Sequence, residues 1–183
     1  MFKNAKRNTA LLAGLMLTAG LAQSANTQTG TLTITGQIAD TTCEISVSDA
    51  SAGTYDFGKI SHAMFDGANT DGIDVVPAKD MKFTVKNCPA ATKTLHVAFQ
   101  YNADTTDANL LGNTGTGKGV SFMLKDANNT ILTSGAEITK DVTGTADWAT
   151  GVQIDGQVHA VRHGDNWAAG DIASQATYTL TAE

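Results

Sequence analysis

Several groups of residues have types and spacings that could do chemistry. The stretch Gly112-Asn-Thr-Gly-Thr-Gly117-Lys118-Gly119 comes within one residue of a phosphate-binding loop. That loop needs a Ser or Thr after the lysine, because its hydroxyl binds Mg²⁺, and a helix must follow. Here Gly119 stands in that place and the run Val120-Ser-Phe-Met-Leu124 reads as a strand, so a flexible Gly-rich turn is expected. His159 and His163 are four apart and would share a helix face. In a strand the same spacing separates them by about 13 Å, too far for one metal ion. His62 and His96 stand alone, and all four histidines are expected at the surface. Asp104 and Asp107 match no calcium-loop spacing. With no Gly-x-Ser-x-Gly elbow to present a nucleophile, the carboxylates are expected on a solvated surface. No enzymatic activity, cofactor or metal is expected.

Cys43 and Cys88 are the two cysteines. Zinc would need two further ligands at a usual spacing, and a redox pair would need C-x-x-C. The N-terminus decides the matter. Lys3, Lys6 and Arg7 precede an apolar stretch from Ala10 to Ala22, which closes on small residues at Gly20-Leu21-Ala22 and again at Ala25. That is the order of a secretory signal, and the stretch is shorter than the roughly 20 residues that span a bilayer. Residues 1–22 are expected to be removed on export, leaving no membrane span. In an oxidising compartment a lone cysteine pair forms a disulfide. Closing its loop should contribute roughly 4 kcal/mol by chain entropy.

The elements that must position these groups are strands. Leu32 and Ile34 alternate with threonines. Ile45 and Val47, Tyr55 and Phe57, and Phe83 and Val85 repeat the pattern. Leu95, Val97, Phe99 and Tyr101 form the clearest run, followed by Val120, Phe122 and Leu124 and by Ala176, Tyr178, Leu180 and Ala182. Period-two apolar runs bounded by Gly, Asn, Asp and Ser mark half-buried strands and turns. Many short strands in one domain make a sandwich or barrel. Residues 61–80 and 102–118 read as loops, and only the signal reads as helix.

The chain has 12 Lys+Arg and 18 Asp+Glu. Three of the basic residues and none of the acidic ones lie in 1–22, so the remainder carries nine against 18. So acidic a surface repels nucleic-acid phosphates and anionic membranes, and nucleic acid is excluded as a partner.

The opening Gly30-Thr-Leu-Thr-Ile-Thr-Gly36-Gln-Ile-Ala-Asp-Thr-Thr-Cys43 resembles that of the chaperone–usher fimbrial subunits, the type 1 pilin-like family. The second cysteine in Asn87-Cys88-Pro89 and the strand Gly119 to Asp126 with its Asp126-Ala-Asn128 turn are similar to that family's. So is the close from Gly170, fourteenth from the end, through Ala176-Thr-Tyr178-Thr-Leu180 to Glu183. The family's penultimate aromatic is replaced by Ala182, leaving Tyr178 and Leu180 as the large residues of that strand.

The resemblance implies an all-β fold: an incomplete immunoglobulin-like sandwich lacking its last strand, completed by a donor strand from another subunit. It divides the chain into a signal at 1–22, a donor-strand extension at 23–35 and a pilin domain at 36–183. Gly30, Leu32 and Ile34 would fill a neighbour's groove, the alternative being that residues 30–40 form a long first strand of their own domain. Gly170, Ala176, Tyr178, Leu180 and Glu183 would form the groove-lining, chaperone-contacting final strand. The implied partners are other fimbrial subunits, a periplasmic chaperone and an outer-membrane usher, with export through the periplasm to a surface fimbrium that supports adhesion. The alternative is an exported adhesin or carbohydrate-binding sandwich.

Overall fold

A computed structural model describes residues 29–38, 43–48, 53–144 and 146–183. The expected signal at 1–22 and the first part of the extension, 23–28, lie outside the described residues. The elements are β1 (Thr29–Ile38), β2 (Glu44–Ser48), β3 (Thr54–Lys59), α1 (His62–Gly67), β4 (Lys79–Lys86), β5 (Thr94–Tyr101), β6 (Val120–Asp126), β7 (Glu137–Asp141), β8 (Val152–Arg162) and β9 (Ile172–Ala182). They form two sheets, one in the order β3-β1-β9-β5-β7 and the other β2-β4-β8-β6. This is an immunoglobulin-like sandwich, and each alternating run read from the sequence lies in a strand.

β5 shows why the chain folds this way. Leu95, Val97 and Phe99 are fully buried while His96, Ala98 and Gln100 take the other face. Tyr101 ends the inward set half-buried, its hydroxyl donating to the Leu132 carbonyl at 2.9 Å. The sheets meet through aromatic pairs: Phe83 with Phe99 at 6.1 Å and Phe57 with Phe122 at 5.4 Å between centroids. Each such ring contributes roughly 1.5–3 kcal/mol by leaving water.

The structure corrects the expected loop at 61–80. Ser61 caps α1, its hydroxyl accepting from the Met64 N–H at 3.3 Å. Residues 72–75 then run beside the end of β8, with Val75 N–H donating to Ala160 and Arg162 N–H to Ile73. α1 buries Phe65 alone, so six residues carry no helical period.

The sequence pattern does not mark β7 and β8. β7 is an exposed edge in which only Ile138 packs against the core. In β8 the inward positions include Gly156, where a Cβ would stand 2.7 Å from the Met81 methyl and 3.0 Å from the Lys125 carbonyl oxygen. A glycine inside a strand removes one apolar beat from the pattern.

Candidate functional site

The chain changes sheets between β2 and β3: β2 pairs with β4, and β3 lies at the edge of the other sheet. Between β3 and β9 is a slot one strand wide. Its walls are Tyr55 and Phe57 on one side and the buried Ile172, Ala176 and Leu180 on the other. Tyr178 joins them half-buried, its ring edge-on to Phe83 at 4.9 Å. Burial raises the Tyr178 phenol above its ordinary pKa, so it stays neutral over the physiological range.

β1 fills this slot. It runs parallel to β9 without a break, from Gly30 opposite Ile172 to Ile38 opposite Leu180. Among the described residues it runs antiparallel to β3 from Thr29 to Thr33, with a register shift between Thr29 and Thr31. Gly30, Leu32 and Ile34 take register positions opposite Ile172, Ser174 and Ala176. β3 and β9 are not neighbours, so without β1 both would present bare ladder edges. The occupant in this structure is therefore the chain's own segment. Only residues 39–42 join it to Cys43, which is bonded to Cys88 at 2.06 Å.

The remaining expected residues fall around the slot. Ala176 and Leu180 are buried. Gly170 is a point of close approach: a Cβ there would meet Thr116 Oγ1 and lie 2.6 Å from the Gly117 nitrogen. The Glu183 carbonyl accepts from Thr94 N–H at 2.9 Å, tying the C-terminus to the start of β5. Ser174 gives no sequence signal, being one small hydroxyl residue in a strand rich in threonine. It is buried, and its hydroxyl donates to the Gly112 carbonyl at 3.0 Å.

The Gly-rich stretch is a packing loop. Thr114 N–H donates to the Ala173 carbonyl and Gly117 N–H to that of Asp171. Asn113 Oδ1 accepts from Gly115 N–H at 2.8 Å and Ala173 N–H at 3.1 Å. These N–H groups already have partners, and a Cβ on Gly115 would collide with the Asp171 carbonyl. Gly119 has φ +92 and lies under Phe65, which explains why no Ser or Thr stands there.

Two expectations about polar groups are corrected. His159 is buried, 5% exposed, with Nδ1 2.9 Å from Asp74 Oδ1. It faces outward from β8, but the 72–75 segment crosses beside it and the register places Met123 opposite. Asp104 is not a solvated carboxylate: its side chain is 19% exposed and 3.2 Å from His163 Nε2. Burial raises its pKa but is outweighed by hydrogen bonds from the Thr106 hydroxyl, Thr106 N–H and Asp107 N–H and by the His163 ring, so the carboxyl titrates below its usual range. Among the described residues no group of three or more His, Cys, Asp or Glu gathers to hold a metal, and no helix is long and apolar enough to cross a membrane.

The sequence profile of the fimbrial protein family matches residues 32–182. The probable major fimbrial subunit LpfA of Escherichia coli O157:H7 is 29% identical over 125 residues, 66% of this chain and 67% of that one. Among solved structures, the P pilus rod subunit PapA superposes with a TM-score of 0.58 at 18% identity, covering 77% of this chain and 99% of that chain. A subunit from the structure of a chaperone–usher pilus that addresses rod uncoiling gives 0.57 at 19% identity, covering 81% and 91%. The match over most of the chain, on a sandwich of this topology, shows that the chain belongs to the fimbrial protein family.

Proposed function

We propose that this chain polymerises by lending β1 to the slot of the next subunit, and that the self-filled slot is the form it takes when no neighbour is engaged. The observation that carries this reading is the isolation of β1. It is a full-length member of the sheet, yet among the described residues two ladders hold it to the body, and in sequence the residues 39–42 join it to Cys43. Moving it between chains breaks no disulfide and leaves the Phe83–Phe99 core in place. The ladder bonds lost in one subunit are regained in the next. Gly30, Leu32 and Ile34 are the residues that would enter the neighbour, and burying Leu32 and Ile34 there contributes roughly 1.5–3 kcal/mol each.

An emptied slot exposes two unpaired edges over apolar walls, which recruit any extended chain. A chain that crosses the periplasm toward a surface fimbrium therefore needs a strand-lending chaperone and an usher that exchanges that strand for the next subunit's. The final strand, with Gly170, Ala176, Tyr178, Leu180 and Glu183, would meet the chaperone. The function is structural and adhesive rather than enzymatic.

The test is to replace Leu32 and Ile34 with Asp in the full chain and count surface fibres by electron microscopy. Loss of fibres is the expected result; fibres in wild-type number reject strand exchange.

A further inference from the structure

The two ends of the sandwich differ in chemistry. One end gathers the close of β3, α1, the starts of β6 and β9 and the 163–171 turn. There Trp167 lies 5.2 Å from both His62 and Phe65, and the Arg162 guanidinium sits 4.1 Å from the Phe65 centroid. On this aromatic layer Met64 is 44% exposed and, on the adjoining 69–73 turn, Ile73 is 50% exposed. They are two of the three large apolar side chains so exposed among the described residues. The exposed Asp66, Asp71 and Asp165 belong to the same end, Asp66 3.5 Å from His62 and Asp71 and Asp165 3.8 Å and 2.8 Å from Arg162. The other end carries Cys43–Cys88, and its 87–93 turn exposes Pro89, Ala90, Ala91 and Lys93.

The tether decides which surfaces can meet. From Ile38 to Cys43 are five Cα steps, which span at most about 18 Å. A strand arriving parallel to β9, as β1 does here, ends beside Leu180. It would bring the donor's Cys43 end against the acceptor's Cys43 end, and two copies exchanging strands this way satisfy each other and stop. A strand arriving in the opposite direction ends beside Ile172. It brings the donor's Cys43 end against the acceptor's α1 end, a head-to-tail contact that repeats without closing, as a fibre requires. Reversal also turns the long ladder with β9 antiparallel, the slightly more stable pairing, while only the short ladder with β3 becomes parallel.

Resting on the strand-exchange reading, we propose that Met64 and Ile73, with the rim of Trp167, form the seat for the 87–93 turn of the next copy. Pro89, Ala90 and Ala91 cover the apolar patch, and Lys93 faces the carboxylates of that end.

A photo-cross-linking benzophenone residue in place of Met64, in full chains assembled into fibres, tests this. The expected product joins position 64 to residues 87–93 of a second copy. Cross-links confined to the same chain, or reaching another face of the neighbour, overturn it. The Ile34→Asp variant keeps the two ideas apart. Fibres that survive it defeat strand exchange, and with it the contact argued from the tether. Fibres lost to it, with Met64 cross-linked elsewhere in wild-type fibres, defeat the end contact alone.

Discussion

Ile34 stands opposite Ala176 in a parallel ladder and, among the described residues, has no ladder partner on its other side, whereas Thr33, one residue earlier, stands between Gln175 of β9 and Thr54 of β3. Among the described residues β1 is thus paired on both sides over its first half and on one side over its second.

Opening of β1 should therefore begin from its Ile38 end. Local opening free energies follow the number of buried contacts and ladder bonds a segment holds. In hydrogen exchange the amides of Gly36 to Ile38 should exchange faster than those of Thr31 to Thr33, and all of β1 faster than Leu95, Val97 and Phe99 of β5. Uniform protection across β1 and β5 would show that β1 is not a separable unit.

The close approach at Gly170 gives a stability prediction with an internal contrast. Gly170→Ala forces a methyl against Thr116 and the Gly117 backbone. Overpacking of this kind costs typically about 1–3 kcal/mol. Gly67→Ala meets nothing within 4 Å, and there alanine should be neutral or stabilising by up to about 1 kcal/mol. Urea unfolding midpoints of the two variants should move in opposite directions or, at the least, only the first should fall.

How much of this was legible in the sequence follows from the same geometry. β5 and β9 announce themselves because one face packs on a core and the other meets solvent, so their residues alternate. β8 is central and covered on both faces at its end, with His159, Ala160 and Val161 all buried; alternation cannot survive there. The slot was legible as a family resemblance through Gly30 to Cys43 and the final strand. That the chain's own β1 occupies it depends on a parallel pairing between residues more than a hundred positions apart, which no local pattern encodes. His159 and Asp74 likewise meet only because the 72–75 segment returns to the end of β8.

Acid should weaken the 102–111 loop before the core. Asp104 titrates below its unfolded value, so its contribution is present above the ordinary aspartate pKa of about 3.9 and is lost as pH falls through the lower folded value. Stability should therefore fall with pH from about 4 downward. Asp104→Asn should flatten that part of the profile while lowering stability at neutral pH, because the Thr106 and His163 contacts lose their charge. Thermal melts of both chains between pH 2 and 7 measure the slopes; equal slopes would mean that Asp104 contributes nothing.

The disulfide should matter to assembly as well as to stability. Cys43 is the root of the tether that carries β1, and Cys88 lies just beyond β4. The short β2 that follows Cys43 has a single sheet neighbour, β4. Removing a native disulfide from a small secreted domain typically costs about 2–5 kcal/mol, and here the loss falls on the strand nearest the root. Without the bond, β2 can peel away together with β1, so a subunit pulled by its donor strand yields at its own edge. The Cys43→Ser, Cys88→Ser double variant should unfold at lower urea and form shorter fibres that dissociate at lower temperature in detergent. A double variant with reduced urea resistance but fibres of wild-type length and heat resistance would show that the bond stabilises the fold and leaves the anchoring of the donor strand to β2 and β4.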